Sequence, residues 1–124
     1  MLASSYRHGQ QNNNTRLNEK LQLGLTCVQM ATGSWRDLTN QVNYHNHHGG
    51  NVGTPAVECR RTACENTSGT YLCSEHDNVV DIPARDVADK IDKILNGCCG
   101  SSSGKSGNWF EPTYSVWIGY ANCN

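Results

Sequence analysis

Seven cysteines constrain this chain of 124 residues more than any other feature of its sequence. Proteins that hold a metal through cysteine usually carry paired Cys-x-x-Cys spacings, and this sequence contains none. Cytosolic proteins rarely keep so many cysteines without a metal. We therefore predict a disulfide framework that forms in an oxidising compartment. The disulfide candidates are Cys27, Cys59, Cys64, Cys73, Cys98, Cys99 and Cys123.

The composition explains why such a framework is needed. Hydrophobic residues make up 36% of the chain and charged residues 17%, so long polar loops surround a small core. A disulfide that closes a loop contributes about 3–5 kcal/mol. Because the whole stability of a domain is about 5–15 kcal/mol, a few bridges decide whether this one folds.

An odd number of cysteines leaves one without a partner inside a monomer. Adjacent Cys98 and Cys99 are poorly placed to bond each other, so we expect one of them to be the odd thiol. The pairing of the others stays open. The odd thiol either remains within the monomer or bonds a second copy, which would make a disulfide-linked homodimer.

Several features agree with a secreted, extracellular protein. Two glycosylation sequons begin at Asn13 and Asn66. Residues 1–5 are too short and polar for a signal peptide, so we expect a mature form with an added initial methionine. There is no apolar run long enough to span a membrane. A net charge of −1 and a pI near 6.5 argue against a nucleic-acid partner.

The chain divides into a polar, flexible arm at residues 1–18 and a single cysteine-rich domain at residues 19–124. Alternating apolar residues predict a half-buried strand over 21–27. Ser34 is suited to cap a helix over 35–44, and a Gly-, Asn- and His-rich loop follows over 45–54.

The second half of the chain has clearer patterns. A turn between two cysteine-bearing segments predicts a hairpin with Cys64 and Cys73 on facing strands. An amphipathic helix is predicted over 82–96, capped by Asp81 and ended by Gly97. A strand is predicted over 114–120. The predicted fold class is α+β, with one amphipathic helix packed on a small, twisted antiparallel sheet stapled by disulfides.

The segment from Cys59 to Cys98 resembles the fungal small cysteine-rich secreted proteins, which are described as effector-like or elicitor-like. The resemblance lies in the runs Arg61–Cys64 and Thr67–Cys73, and in the helix that ends before Cys98. It implies a secreted protein without shared catalytic residues, and it places Cys27 and Cys123 as an outer disulfide pair.

The histidines His45, His47 and His48 are the most evident candidates for metal binding, because imidazole is a common ligand of Zn²⁺ and Cu²⁺. A flexible loop offers neither rigid placement nor supporting hydrogen bonds. We therefore interpret these residues as an exposed polar loop, and we predict no cofactor and no metal.

A hydrolase would pair a histidine with a carboxylate. The sequence offers His76 with Glu75 or Asp77, and His45 with Glu58. Nothing in the sequence shows that these residues meet in space.

Two neighbouring aromatic residues, Trp109 and Phe110, form a candidate recognition edge, since aromatic side chains dominate binding hot spots. The alternative is that they anchor the core or a loop.

Together these features predict a non-catalytic, secreted effector-like or elicitor-like protein. It would act on a host or a competitor by binding a cell-surface protein or glycan. One alternative is a small secreted hydrolase of RNA or cell-wall glycan. The other is a killer-toxin-like growth inhibitor.

The cysteine framework predicts the intact mass of the unreduced protein. We expect a monomer six hydrogens lighter than the reduced chain, because each of three bridges removes two, and one thiol open to alkylation. Mass spectrometry with and without alkylation measures both. A doubled mass that halves on reduction would show a homodimer, and seven free thiols would contradict the secreted assignment.

Overall fold

The fold is an antiparallel α+β arrangement in which two helices pack on one face of a five-stranded sheet. The computed structural model describes residues 23–27, 30–97, 100–101 and 103–124. The five strands stand in the order β1, β8, β9, β5, β4. Their bounds are β1 Gly24–Thr26, β8 Gly107–Phe110, β9 Tyr114–Tyr120, β5 Ser68–Ser74 and β4 Cys59–Glu65.

The remaining strands form two short, two-stranded sheets. The first pairs β2 (Gly33–Ser34) with β7 (Gly104–Lys105), and the second pairs β3 (Asn51–Thr54) with β6 (Val80–Pro83). The sequence analysis predicted one helix in its fold class, whereas the described residues form two, α1 (Trp35–His48) and α2 (Ala84–Asn96).

Helix α2 supplies much of the core, as its amphipathic pattern predicted. Its apolar stripe is completely or almost completely buried against β9 and α1. The stripe consists of Val87, Ala88, Ile91, Ile94 and Leu95.

The start of α2 was predicted less well than its buried stripe. Residues 80–83 pair with β3, so the helix begins at Ala84, and Pro83 instead of Asp81 occupies the cap position. The predicted end is confirmed, because the N–H of Gly97 donates to the carbonyl oxygens of Lys93 and Ile94.

The two faces of the sheet differ in what covers them. On the helix side, Leu72, Val116 and Ile118 join α1 and α2 in the larger apolar cluster. On the opposite side, Phe110 and Trp117 form a smaller cluster with Cys73. Alternate residues of the predicted terminal strand therefore enter opposite clusters.

The hairpin is confirmed, with Cys64 on β4 and Cys73 on β5. Cys59 lies opposite Cys73 and is bonded to it, with the Cα atoms 4.0 Å apart. Cys64 lies opposite Gly69 and is bonded to Cys123, whose Cα is 5.6 Å away. Cys64 and Cys73 therefore lie on facing strands as predicted, and the register of the hairpin decides the pairing that the sequence left open.

The outer pair implied by the family resemblance, Cys27 with Cys123, is wrong, because Cys123 is bonded to Cys64. Cys27 does belong to a disulfide. The odd thiol was predicted to be Cys98 or Cys99, and both lie outside the described residues. The predicted arm at residues 1–18 also lies outside them. Within the described part of the chain, no helix is long and apolar enough to cross a membrane.

Candidate functional site beside the first helix

Helix α1 contributes Leu38 to the apolar core, and it also buries a second face that is polar. The helix begins after Ser34, whose hydroxyl accepts the N–H of Asp37 at 3.4 Å, as the capping prediction required. Asp37, Gln41 and His45 follow at intervals of four residues, which places them on one side of the helix. All three are buried against the β4–β5 hairpin.

The first turn of α1 is bonded to the turn of the hairpin. The Asp37 carboxylate accepts from Asn66 Nδ2 at 3.1 Å and from Ser68 Oγ at 3.4 Å. The Ser68 hydroxyl in turn accepts the backbone N–H of Ser34 at 2.7 Å. The buried carboxylate and the buried hydroxyl thus satisfy each other, which removes most of the cost of burying them.

The middle of the helix is joined to β5 by the amide of Gln41. Its Nε2 donates to the carbonyl oxygen of Ser68 at 2.8 Å, and its Oε1 accepts from the Thr70 hydroxyl at 2.7 Å. One side chain therefore uses both ends of its amide to hold the helix to the sheet.

His45 continues this polar face at the end of the helix. It is 0% exposed, and its Nδ1 lies 2.7 Å from the carbonyl oxygen of Gln41. Since a carbonyl only accepts, Nδ1 carries the proton, and Nε2 accepts from the Thr62 hydroxyl at 2.8 Å. Burial lowers the pKa of His45 below its usual 6.5, and the nearby His48 acts in the same direction, although the bond to Gln41 opposes them.

Thr62 reaches His45 because β4 contains a β-bulge. The register of β4 on β5 shifts between Arg61 and Ala63, so Thr62 has no partner on β5. A bulge turns the side chain of the extra residue away from the regular alternation. This bulge also interrupts an edge strand that carries two exposed arginines, Arg60 and Arg61, and these features discourage pairing with another chain.

The loop predicted over 45–54 is wrong, because residues 45–48 form the last turn of α1 and Asn51–Thr54 form β3. His45, His47 and His48 all belong to the helix. His47 Nδ1 donates to the carbonyl oxygen of Asn43 at 2.8 Å, and His48 Nδ1 donates to that of Gly49. These side-chain bonds lie at the C-terminal end of α1, where a donor interacts favourably with the helix dipole, and they support residues whose own helix propensity is weak. No group of histidine, cysteine and carboxylate ligands among the described residues is arranged to hold a metal.

The residues of the candidate catalytic pairs, which the hydrolase alternative requires, lie in different surroundings. Glu75 is buried and accepts from Ser115 Oγ at 2.7 Å, while His76 lies in an exposed turn with a φ of 62°. His45 spends both ring nitrogens on Gln41 and Thr62, so Glu58 is not its hydrogen-bond partner.

The candidate recognition edge, Trp109 and Phe110, is split between the two faces of the sheet. Phe110 is 4% exposed and meets Trp117 edge to face, with the ring centroids 5.7 Å apart. Trp109 is half-buried, and its Nε1 donates to Glu111 at 2.6 Å beneath the ammonium group of Lys93. Both rings therefore contribute to packing.

Of the two glycosylation candidates, Asn13 lies outside the described residues. Asn66 is exposed in the turn between β4 and β5, where it has a φ of 55°. Its Nδ2 already donates to Asp37, so the turn is tied to α1 through this side chain.

A groove with several polar side chains in its lining lies at the surface beside this interface, between α1 and β4. Its volume is about 260 Å³. Tyr44 at its side is 50% exposed, and Asn40 Nδ2 donates across it to Glu65 Oε2 at 3.1 Å. The full lining is Asn40, Gln41, Tyr44, Thr62, Ala63, Cys64 and Glu65.

The sequence analysis named Ser34 as a cap and His45, Cys64 and Asn66 for other roles, but it missed the other residues of the interface and the groove. The only signal was the spacing of Asp37, Gln41 and His45, which marks one face of a helix. Polar residues at that spacing are typical of a solvated face, and only the hairpin packed against them shows otherwise. The chain matches no family model, no curated protein and no solved structure.

Replacing Gln41 with leucine should lower the free energy of unfolding by about 1–3 kcal/mol, because it strands the buried Thr70 hydroxyl. Adding Thr70→Val removes that hydroxyl as well. We therefore expect the double variant to lose less stability than the sum of the two single variants. Urea unfolding of all four proteins with the disulfides intact measures this coupling, and additive losses would contradict it.

The stability of the protein should fall in mild acid because of His45. Its pKa is lowered on folding, so just below pH 6.5 the unfolded chain binds a proton that the folded chain does not. The free energy of unfolding therefore decreases as the pH falls below about 6.5, until the folded pKa is passed.

Urea unfolding between about pH 7.5 and pH 5 tests this contribution. The wild type should lose stability more steeply than His45→Gln, while the exposed control His47→Gln should follow the wild type. Parallel curves for the wild type and His45→Gln would refute the assignment.

Proposed function

We propose that this protein is a secreted, non-catalytic binding protein that acts on a host or competitor cell. The observation that carries the proposal is that its buried reactive side chains are used to hold the fold together. Asp37 on α1 accepts a hydrogen bond from Ser68 on β5, and Ser68 accepts the N–H of Ser34 at the start of the helix. His45 on α1 is bonded to Thr62 on β4. A partner that binds the α1 side of the molecule therefore contacts its surface, which includes the groove between α1 and β4.

The disulfides support the extracellular part of the proposal. Cys59–Cys73 staples the hairpin, and Cys64–Cys123 ties the edge strand to the C-terminus. Cys27 belongs to a further bridge. Bridges of this kind form and persist in oxidising compartments, where they protect a small domain against unfolding and proteolysis.

The resemblance to fungal small cysteine-rich secreted proteins supports the type of action. It suggests an effector-like or elicitor-like role, in which the partner is a protein or glycan on the surface of another cell. The near-neutral charge balance of the chain agrees with a partner other than nucleic acid.

A labelled preparation of the oxidised protein tests this function on intact plant and fungal cells. We expect saturable surface binding, no turnover of RNA or glycan, and a cellular response that disappears when the protein is fully reduced and alkylated. A response that survived complete reduction and unfolding would contradict the proposal. Growth arrest of the fungal cells would favour the killer-toxin-like alternative.

One observation favours a hydrolase as the second candidate. The Thr62 hydroxyl donates to His45 Nε2, and His45 Nδ1 is oriented by a carbonyl, which is how a nucleophile, a base and an orienting group are arranged in some enzymes. If this pair were catalytic, turnover of RNA or cell-wall glycan would be lost in both Thr62→Val and His45→Gln. Binding without turnover in the wild type would exclude it.

A further inference from the structure

We propose that the groove between α1 and β4 binds a neutral, β-linked oligosaccharide, with one pyranose ring lying against Tyr44. The inference rests on the proposed binding function and names the class of ligand at one site. It depends on the placement of Tyr44, on the polar groups opposite it, on the open strand edge and on the charge of the lining.

Tyr44 is an exposed aromatic ring that is held in place. Its ring meets that of His45 edge to face at 5.3 Å, and that of His48 at 5.6 Å. His45 is itself fixed by Gln41 and Thr62. A ring that is already ordered loses little conformational entropy when a ligand covers it. Tyrosine suits such a surface because its ring is apolar and its hydroxyl is polar.

The polar groups beside Tyr44 match the hydroxyls of a sugar. Asn40 offers an amide and Glu65 a carboxylate, and their mutual hydrogen bond of 3.1 Å holds both at the groove. Together they present donors and acceptors within one small site, as neighbouring sugar hydroxyls require. A volume of about 260 Å³ is on the scale of one sugar ring, with the remainder of a chain outside it.

The edge of the sheet adds backbone groups to the groove. Thr62, Ala63, Cys64 and Glu65 line it from β4, and no strand of the described chain pairs with the outer edge of β4. Backbone N–H and C=O groups on such an edge are available to a ligand. The bulge at Thr62 breaks their regular spacing, which disfavours an added peptide strand and leaves them for a ligand of another shape.

The charge of the lining selects a neutral sugar. Its one charged residue is Glu65, and it includes neither lysine nor arginine. An acidic oligosaccharide would be repelled by that carboxylate, whereas a neutral one would use it as an acceptor. Tyr44 favours a β-linkage, because the equatorial anomeric oxygen leaves axial C–H groups on both faces of the sugar ring, whereas an α-linkage places an axial oxygen on one of them.

Isothermal titration with defined hexasaccharides tests the proposal. The probes are hexamers of β-1,4-linked N-acetylglucosamine and β-1,3-linked glucose, with α-1,4-linked glucose and α-1,4-linked galacturonate as the α-linked and acidic comparisons. We expect binding of at least one β-linked neutral hexamer, and weaker or no binding of the two comparison hexamers.

Variants then locate the site. Tyr44→Ala should weaken binding of the β-linked hexamer by about tenfold or more, and Tyr44→Phe should largely preserve it. Asn40→Ala is a second groove variant, and its exposed position spares the core. Tyr120→Ala is the matched control, because Tyr120 is 54% exposed on β9 and does not line the groove. Circular dichroism confirms that each variant folds.

Amide chemical shifts distinguish the outcomes. Shifts confined to residues of the groove support the proposal. Shifts elsewhere, equal binding by Tyr44→Ala, or no binding of either β-linked hexamer would overturn it. If cell-surface binding persists while both β-linked hexamers fail to bind, this inference is wrong and the proposed function stands. If no cell surface is bound, the proposed function itself fails.

Discussion

The docking of α1 on the β4–β5 hairpin through buried hydrogen bonds is the constraint on which the rest of this structure depends. Asp37, Gln41 and His45 each meet a partner on the hairpin, at Ser68, Thr70 and Thr62 respectively. Buried polar groups are stabilising only when they are satisfied, so this interface tolerates little displacement of the helix along the sheet. Helix α2 is held differently, by aliphatic contacts that specify position less strictly.

The groove is a consequence of that docking together with the covalent frame. The polar contacts set the distance between α1 and β4, and the bridge from Cys64 to Cys123 holds the edge strand that forms the other wall. The rigidity that the proposed site needs is therefore supplied by bonds that its lining residues Gln41, Thr62 and Cys64 make to the rest of the fold. In the proposed site, His45 and His48 act only by holding the ring of Tyr44 in place.

The parts of the fold that could be predicted are those in which local pattern and burial agree. Helix α2, the β4–β5 hairpin and the strand β9 follow from apolar periodicity and turn residues, which act over a few neighbours. The end of α1 was missed because Asn, His and Gly after Tyr44 are typical of a loop. Hydrogen bonds from His47 and from His45 to helix carbonyls, together with the packing of His45, extend the helix beyond its propensity.

The sequence by itself determined that the chain uses disulfides, has one amphipathic helix with an aliphatic stripe, and carries a hairpin between two cysteine-bearing segments. It did not determine which cysteines pair, because pairing depends on strand register, and here the register puts Cys59 opposite Cys73. Nor did it show that Asp37, Gln41 and His45 are buried. Only the tertiary structure decided this, since a polar residue is buried or solvated according to whether another part of the chain brings it a partner.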